Sequence, residues 1–206
     1  MRRRSGVSLI ELAVVSGLLI IIVSMVYQVV QAGVGFYLDS SSAMEIRQDA
    51  LVGLNRLSVE LRQSSIASVR AYMSPPAGDP KGLVFASPRD ENGVMSSTQD
   101  GKVTWRRFVC YYVGDYQNYQ ALLRRDEAIV TPPERAPDPE EQSPKRDTHY
   151  FFFNLASVKP RVIARHVTEL NIVPTSDSVE LDLSCEVSSR HRHLIQLKPR
   201  VIPNLL

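Results

Sequence analysis

The longest apolar stretch of this chain lies near its N-terminal end. After Glu11 the next charged residue is Asp39, and the 27 residues between them are mostly aliphatic. A helix needs about 20 predominantly apolar residues to cross the hydrocarbon layer of a membrane. The pattern therefore predicts one membrane-spanning helical segment, at residues 7–38.

A different pattern follows the apolar run. Four apolar residues recur at steps of four, three and four: Ala50, Leu54, Leu57 and Leu61. Other positions of the same segment are charged: Arg47, Asp49, Arg56, Glu60 and Arg62. This is the spacing of a helix that lays one face on a core. Because residues 7–67 contain no proline, one helix can continue from the membrane segment into this amphipathic part. Gly33-Val34-Gly35 predicts a bend or local unwinding between the two parts, with close helix packing at the glycine pair as the alternative.

Beyond Ser68, segments rich in β-branched and aromatic residues replace the helical pattern. Turn-forming pairs such as Asn92-Gly93 and Asp100-Gly101 separate them. The candidate strands are residues 82–86, 102–113, 120–125, 149–154, 162–173, 179–187 and 191–197, with a short turn inside 162–173. Strands that follow one long helix without βαβ alternation predict an α+β fold with a mainly antiparallel sheet.

Residues 131–147 interrupt these strands. They hold five prolines and eight charged residues and almost no apolar side chain to bury. Such a segment cannot offset the entropy lost on ordering, so it is predicted to be a mobile loop. Too little sequence follows it for a second core, so residues 39–206 are interpreted as one globular domain.

Charge indicates the orientation of the chain. Arg2, Arg3 and Arg4 precede the apolar run, and positive charge beside a first spanning segment is held on the cytoplasmic side. The domain after Asp39 is therefore expected to face outward. The formal net charge of +2 includes these three arginines, so without them the chain carries −1, and no nucleic-acid partner is indicated.

The two cysteines, Cys110 and Cys185, would both face an oxidising compartment in this orientation, which permits a disulfide between them. Cys185 shares the apolar face of an alternating segment, residues 179–187. A buried thiol is an equally natural interpretation, because cysteine behaves as a small apolar side chain. Both interpretations stay open from the sequence.

No arrangement of residues indicates a catalytic site. His191 and His193 fall on one strand face, but no cysteine or carboxylate stands at a zinc-type spacing from them. The acidic loop residues lack the alternating oxygen ligands of a dedicated calcium loop: Asp90, Glu91, Asn92 and Asp100. The expectation is a protein that is not an enzyme and has no metal and no cofactor.

Glu11 is the residue that needs an explanation. An ionised carboxylate inside a bilayer costs about 2.5 kcal/mol or more and is usually neutralised by a partner. No basic residue follows it at helical spacing. A cation on another molecule is the partner most easily found.

The N-terminal sequence Gly6-Val7-Ser8-Leu9-Ile10-Glu11 resembles the class III signal of type IV pilins and type II secretion pseudopilins. The usual pattern in that family is glycine, a hydrophobic residue, a small polar residue, Leu, Ile and Glu, and Val7 stands where Phe or Met is commoner. The resemblance implies that prepilin peptidase cuts after Gly6, which makes residues 1–6 a leader, and that the new amino group of Val7 is N-methylated. It also implies that Glu11 pairs with the amino terminus of a neighbouring subunit during assembly.

Later segments resemble W-type minor pilins and J-type minor pseudopilins: Leu54 to Gln63, Tyr111-Tyr112-Val113, Leu122 to Arg125 and His166 to Leu170. The resemblance implies a pilin-like fold, in which a helix with a membrane half and an amphipathic half packs on an antiparallel sheet. It implies a non-enzymatic minor subunit that primes or caps a type IV pilus or a type II secretion pseudopilus.

The same resemblance implies where the protein works and with what. The partners would be prepilin peptidase, other minor and major pilins or pseudopilins, the inner-membrane assembly platform and the lipid bilayer. The subunit would lie in the inner membrane, with its N-terminus cytoplasmic and its globular domain periplasmic, before it enters the filament near the tip.

Two other interpretations of the N-terminal segment remain. One is an uncleaved single-pass anchor that carries an outward-facing enzyme or receptor domain. The other is a secretory signal peptide cut after Val30-Gln31-Ala32, although the apolar run at residues 12–30 is longer than the usual core of about 7–15 residues.

Overall fold

A computed structural model describes residues 8–72, 81–90, 92–98, 100–129, 137, 159–187 and 193–203. The chain divides into two compact units, residues 1–43 and residues 44–206. Helix α1 comprises Leu9–Arg62, and a single 3-10 turn, Ile66–Ser68, follows it. The long N-terminal helix predicted from the two hydrophobic patterns is therefore confirmed.

The described part of the first unit belongs almost entirely to α1. Residues 8–38 are all solvent-exposed, and the most apolar window has a mean hydropathy of 2.7 with none of it buried. By length and composition this helix can cross a membrane. It is continuous through Gly33 and Gly35, so the predicted local unwinding is wrong. Each glycine lowers the stability of the helix by only about 1 kcal/mol relative to alanine. The backbone hydrogen bonds of a long helix offset that loss.

Two antiparallel sheets make up the described strands of the second unit. The first contains β1 to β5 in chain order: β1 (Arg70–Tyr72), β2 (Gly82–Ser87), β3 (Arg107–Tyr116), β4 (Tyr119–Ala128) and β5 (Arg161–Arg165). In the second sheet β7 lies between β6 and β8 and also pairs with β9: β6 (Val167–Pro174), β7 (Val179–Val187), β8 (His193–Leu197) and β9 (Arg200–Val201). The predicted α+β class with mainly antiparallel sheets is confirmed.

Most predicted strands that fall on described residues are present. β7 has the predicted bounds, and the segment 162–173 is divided by His166, whose φ of 57° turns the chain from β5 in one sheet to β6 in the other. The strand predicted from residue 102 begins only at Arg107, since Ser97 and Val103 form an isolated bridge in the preceding loop. The three-residue β1 was not predicted.

Two predicted elements of the globular unit lie outside the described residues. The strand at 149–154 is one of them. The mobile loop at 131–147 is the other, apart from Pro137, which is buried.

The amphipathic part of α1 packs on the first sheet. Its buried residues are Ile46, Ala50, Gly53, Leu54, Leu57, Ser58 and Leu61, which include the four apolar residues of the predicted stripe. A Cβ placed on Gly53 would lie 2.8 Å from the Cβ of Ala164 in β5, closer than two carbon atoms approach. Glycine at this position therefore allows the helix backbone to lie directly against β5.

A cluster of buried side chains packs within the first sheet and its connecting segments. It contains Val84, Ala86, Trp105, Phe108, Cys110, Tyr112, Ala121, Leu123 and Ile129. Trp105, the single tryptophan of the chain, is 1% exposed. Its fluorescence can therefore report the unfolding of this unit.

Candidate functional site

Glu11 lies in the first turn of α1 and makes two reciprocal hydrogen bonds with Ser8. The backbone N–H of Ser8 donates to Oε2 of Glu11 at 2.9 Å, and the backbone N–H of Glu11 donates to Oγ of Ser8 at 3.3 Å. This arrangement is a capping box, in which each side chain satisfies a backbone donor that the helix itself leaves unpaired. The Ser8-x-x-Glu11 spacing is the sequence signal for it, although the capping box was not among the predictions.

The capping box bears on the chemistry predicted for Glu11. One carboxylate oxygen, Oε2, is held by the backbone of its own helix, where the partial positive charge of the N-terminus also favours an anion. No hydrogen bond within the described part of the chain engages Oε1. The carboxylate can thus cap its own helix through Oε2 and still accept a hydrogen bond at Oε1 from a cationic group of another molecule. Gly6 and Val7, the predicted cleavage and methylation positions, lie outside the described residues.

A second group of charged side chains joins α1 to the first sheet inside the globular unit. Glu60 Oε2 lies 3.0 Å from Nε of Arg124, and Glu60 Oε1 lies 3.3 Å from Nε of Arg56. Arg124 Nη1 reaches Oδ1 of Asp126 at 2.6 Å, and Oδ2 of Asp126 lies 2.5 Å from Nη2 of Arg107. Each carboxylate therefore lies between two guanidinium groups, in a chain of ion pairs that runs from α1 through β4 to β3.

Burial distinguishes these ion pairs from ordinary surface pairs. The side chains of Arg124 and Asp126 are each 8% exposed. Burial alone would lower the pKa of Arg124, but Glu60, Tyr111 and Asp126 outweigh it and raise that pKa above its usual value. Burial, together with the Glu60 charge, also raises the pKa of Tyr111. Arg124 therefore stays charged and Tyr111 stays neutral at physiological pH, which suits a structural connection between helix and sheet.

The two cysteines lie in different sheets. Cys110 is on β3 and Cys185 on β7, and both are buried thiols that are not joined by a disulfide. Burial raises the pKa of Cys185 to about 11, so almost none of it is the reactive thiolate near neutral pH. A disulfide formed after export stays a prediction.

Alkylation distinguishes two buried free thiols from a disulfide between Cys110 and Cys185. We expect iodoacetamide at pH 8 to modify the native chain slowly, since the Cys185 thiolate forms only as the pH approaches 11. In denaturant at the same pH, both thiols should react within minutes. Mass spectrometry of the alkylated protein from its native membrane checks this. If denatured chains react only after a reductant is added, the cysteines are joined in the native protein.

Of the other candidate residues, Glu91 and His191 lie outside the described residues, whereas Asp90, Asn92 and Asp100 are described. Oδ1 of Asp90 accepts hydrogen bonds from the backbone N–H groups of Asn92 and Val94. These bonds stabilise the loop in which Asp90 lies. Within the residues that the structure describes, no group of three or more His, Cys, Asp and Glu residues could hold a metal ion. A cavity of about 390 Å³ lies where β6, β7 and residues 198–200 meet, and an ion pair of Lys198 with Asp182, at 3.1 Å, lines it.

Comparison with known proteins gives no family assignment. No protein-family model, no curated protein and no solved structure matches this chain.

Proposed function

We propose that this chain is a filament subunit without enzymatic activity, a minor pilin or minor pseudopilin that primes or caps a type IV pilus or a type II secretion pseudopilus. In this proposal the helix anchors the subunit in the membrane before assembly and lies in the filament afterwards. Prepilin peptidase removes residues 1–6, and Val7 becomes the methylated amino terminus.

One observation carries the proposal. A carboxylate, Glu11, lies in the first turn of α1, and the 27 residues that follow it carry no charge. Glu11 is also the last residue of the sequence Gly-Val-Ser-Leu-Ile-Glu. A buried charge is tolerated when an opposite charge meets it in the same layer of low dielectric constant. The amino group of a neighbouring Val7 is such a charge, because cleavage after Gly6 creates it at the depth of Glu11. The α+β unit that follows the helix is compatible with a pilin-like subunit.

The N-terminus of the protein from its native membrane tests the proposal. Intact-mass and N-terminal peptide analysis should find a chain that begins at methylated Val7. A chain that begins at Met1 would instead be an uncleaved anchor, and one that begins at Gly33 would be a secreted protein. Either of the last two results would overturn the proposal.

The capping box supports a second candidate, an uncleaved single-pass anchor with an outward-facing domain of other activity. The hydrogen bonds between Glu11 and Ser8 give the carboxylate a structural role that needs no neighbouring subunit. In this alternative Glu11 only starts the helix, and its charge has no further use.

Replacing Glu11 with glutamine distinguishes the two candidates, because glutamine at this position of a capping box still reaches back to the backbone but carries no charge. We expect Glu11→Gln to insert into the membrane normally and to lose most of its incorporation into filaments. The measurement compares the protein recovered in sheared filaments with the protein left in the membrane of the native host.

Ser8→Ala is the matched control, since it removes one hydrogen bond of the capping box and keeps the carboxylate. We expect this variant to incorporate nearly as well as the natural chain. If Glu11→Gln incorporates normally while Ser8→Ala does not, Glu11 acts as a helix cap and the assembly role is wrong.

A further inference from the structure

Two strongly polar residues lie within the apolar part of α1. The interval between Glu11 and Asp39 is 27 residues long, and about 20 residues cross the hydrocarbon layer. Every stretch of that length inside the interval contains residues 19–31. Gln28 and Gln31 are therefore in or at the edge of the hydrocarbon layer however the helix is positioned along its axis.

These two glutamines share one face of the helix with small residues. The face, which we call the polar seam, comprises Gly17, Ile21, Ser24, Gln28, Gln31 and Gly35. The steps between successive members alternate between four and three residues. An alternation of four and three residues is the heptad spacing at which two helices keep the same face in contact along their length.

The side chains of the polar seam differ in how their hydrogen bonds are met. The Ser24 hydroxyl donates to the backbone carbonyl of Ile21 at 2.8 Å, and the Gln31 amide donates to the Tyr27 hydroxyl at 3.1 Å. The Gln28 side chain has no hydrogen bond to any residue that the structure describes. A primary amide carries two donors and an acceptor, and in hydrocarbon no water can meet them.

We propose that the membrane part of α1 pairs in parallel with α1 of a second copy of this chain through the polar seam. All copies cross the membrane in the same direction, so two of them can bring the same residues face to face. An amide is both donor and acceptor, which makes a second Gln28 the complement of the first. Apart from the chain neighbours and the adjacent turns of the helix backbone, no described atom lies within 4 Å of a Cβ built at Gly17 or Gly35. No described side chain therefore fills the space that these glycines leave, and a second backbone can approach there.

This inference depends only on the membrane span and does not depend on the filament function. A self-paired helix fits a subunit that waits in the membrane, and it fits an ordinary membrane anchor equally well. Failure of the pairing would therefore leave the proposed processing at Gly6 untouched. Failure of the processing would equally leave the pairing in place.

Energy transfer between copies of the full-length chain tests the pairing. Donor- and acceptor-labelled protein is reconstituted in phosphatidylcholine vesicles over a range of protein-to-lipid ratios, and the dissociation constant of the pair is fitted. We expect the double variant Gln28→Leu with Gln31→Leu to raise that constant about tenfold or more, because interhelical hydrogen bonds are lost. The control, Val26→Leu with Val30→Leu, changes the other side of the helix and should behave as the natural chain does. Leucine favours insertion, so both variants remain in the membrane.

Cysteine cross-linking gives a second measurement on the same vesicles. Ser24→Cys lies on the polar seam and Val26→Cys lies about 180° away from its centre at 100° per residue, while the native cysteines are buried. Oxidation should cross-link Ser24→Cys quickly and Val26→Cys slowly. The proposal is overturned if the natural chain shows no energy transfer at any ratio, if the glutamine variant pairs normally, or if both cysteines cross-link equally. Transfer that requires a different added protein also overturns it.

Discussion

Replacing Arg124 with alanine should lower the free energy of unfolding of the globular unit by about 3 kcal/mol. Breaking a buried ion pair by removal of one partner costs about 3–5 kcal/mol, because the other charge stays buried and unpaired. Arg124 bonds both Glu60 and Asp126, but Arg56 and Arg107 remain beside those carboxylates. The lower end of the range is therefore expected. Urea unfolding of the full chain in detergent, followed by Trp105 fluorescence, measures the change.

Arg165→Ala is the matched control for this prediction. Arg165 also joins α1 to the sheet, with Nε at 2.8 Å from Asp49 and Nη2 at 3.1 Å from Glu45, but its side chain is 47% exposed. Exposed pairs contribute little, since water screens them and both side chains lose freedom. If Arg165→Ala destabilised the unit as much as Arg124→Ala, burial would not be what makes the Arg124 connection important.

Replacing Leu57 with alanine should destabilise the same unit by about 2–5 kcal/mol. Leu57 is fully buried on the face of α1 that packs on the first sheet, so its truncation removes apolar contacts and leaves a cavity that the neighbouring side chains only partly fill. With a typical slope for urea unfolding of a small domain, about 1–3 kcal/mol per molar, the urea midpoint should fall by about 1–2 M. The slope itself should not change.

Leu51→Ala makes the same chemical change on the same helix and serves as the control. Leu51 is 46% exposed, so nearly half of its surface stays in water after folding, and alanine is a slightly better helix former. We expect the urea midpoint to move little. Equal effects of the two substitutions would show that the stripe at Ala50, Leu54, Leu57 and Leu61 is not the face that holds the helix to the core.

The parts of the fold that were predictable are those that a local pattern determines. The bounds of β7 follow from nine alternating residues, and the amphipathic part of α1 follows from an apolar stripe with helical spacing. The strand predicted at 102–113 was less accurate because residues 102–106, although β-forming in composition, turn back on the segment at 96–97. Propensity describes each residue separately and does not contain that pairing.

The charged residues of the candidate sites also differ in whether their contacts can be predicted from the sequence. Glu60 occupies a position between the apolar residues of the stripe, where a solvated side chain is the natural expectation. The structure places it, partly buried, against Arg124 from a strand 64 residues later. Glu11 and Ser8 are three residues apart, and the sequence alone contains the whole signal for their capping box. Contacts between near residues can be read from spacing, whereas contacts between distant residues cannot.

By itself the sequence determined that this chain has one helix long and apolar enough to cross a membrane, a charge-free interval after Glu11, and an α+β unit with antiparallel strands. These follow from hydrophobic periodicity, which depends only on neighbouring residues. The tertiary structure alone decided that the described strands form two sheets joined at His166, that Arg124 bridges Glu60 and Asp126, and that Gly53 meets Ala164. Each of those features depends on which distant segments meet when the apolar faces are buried together.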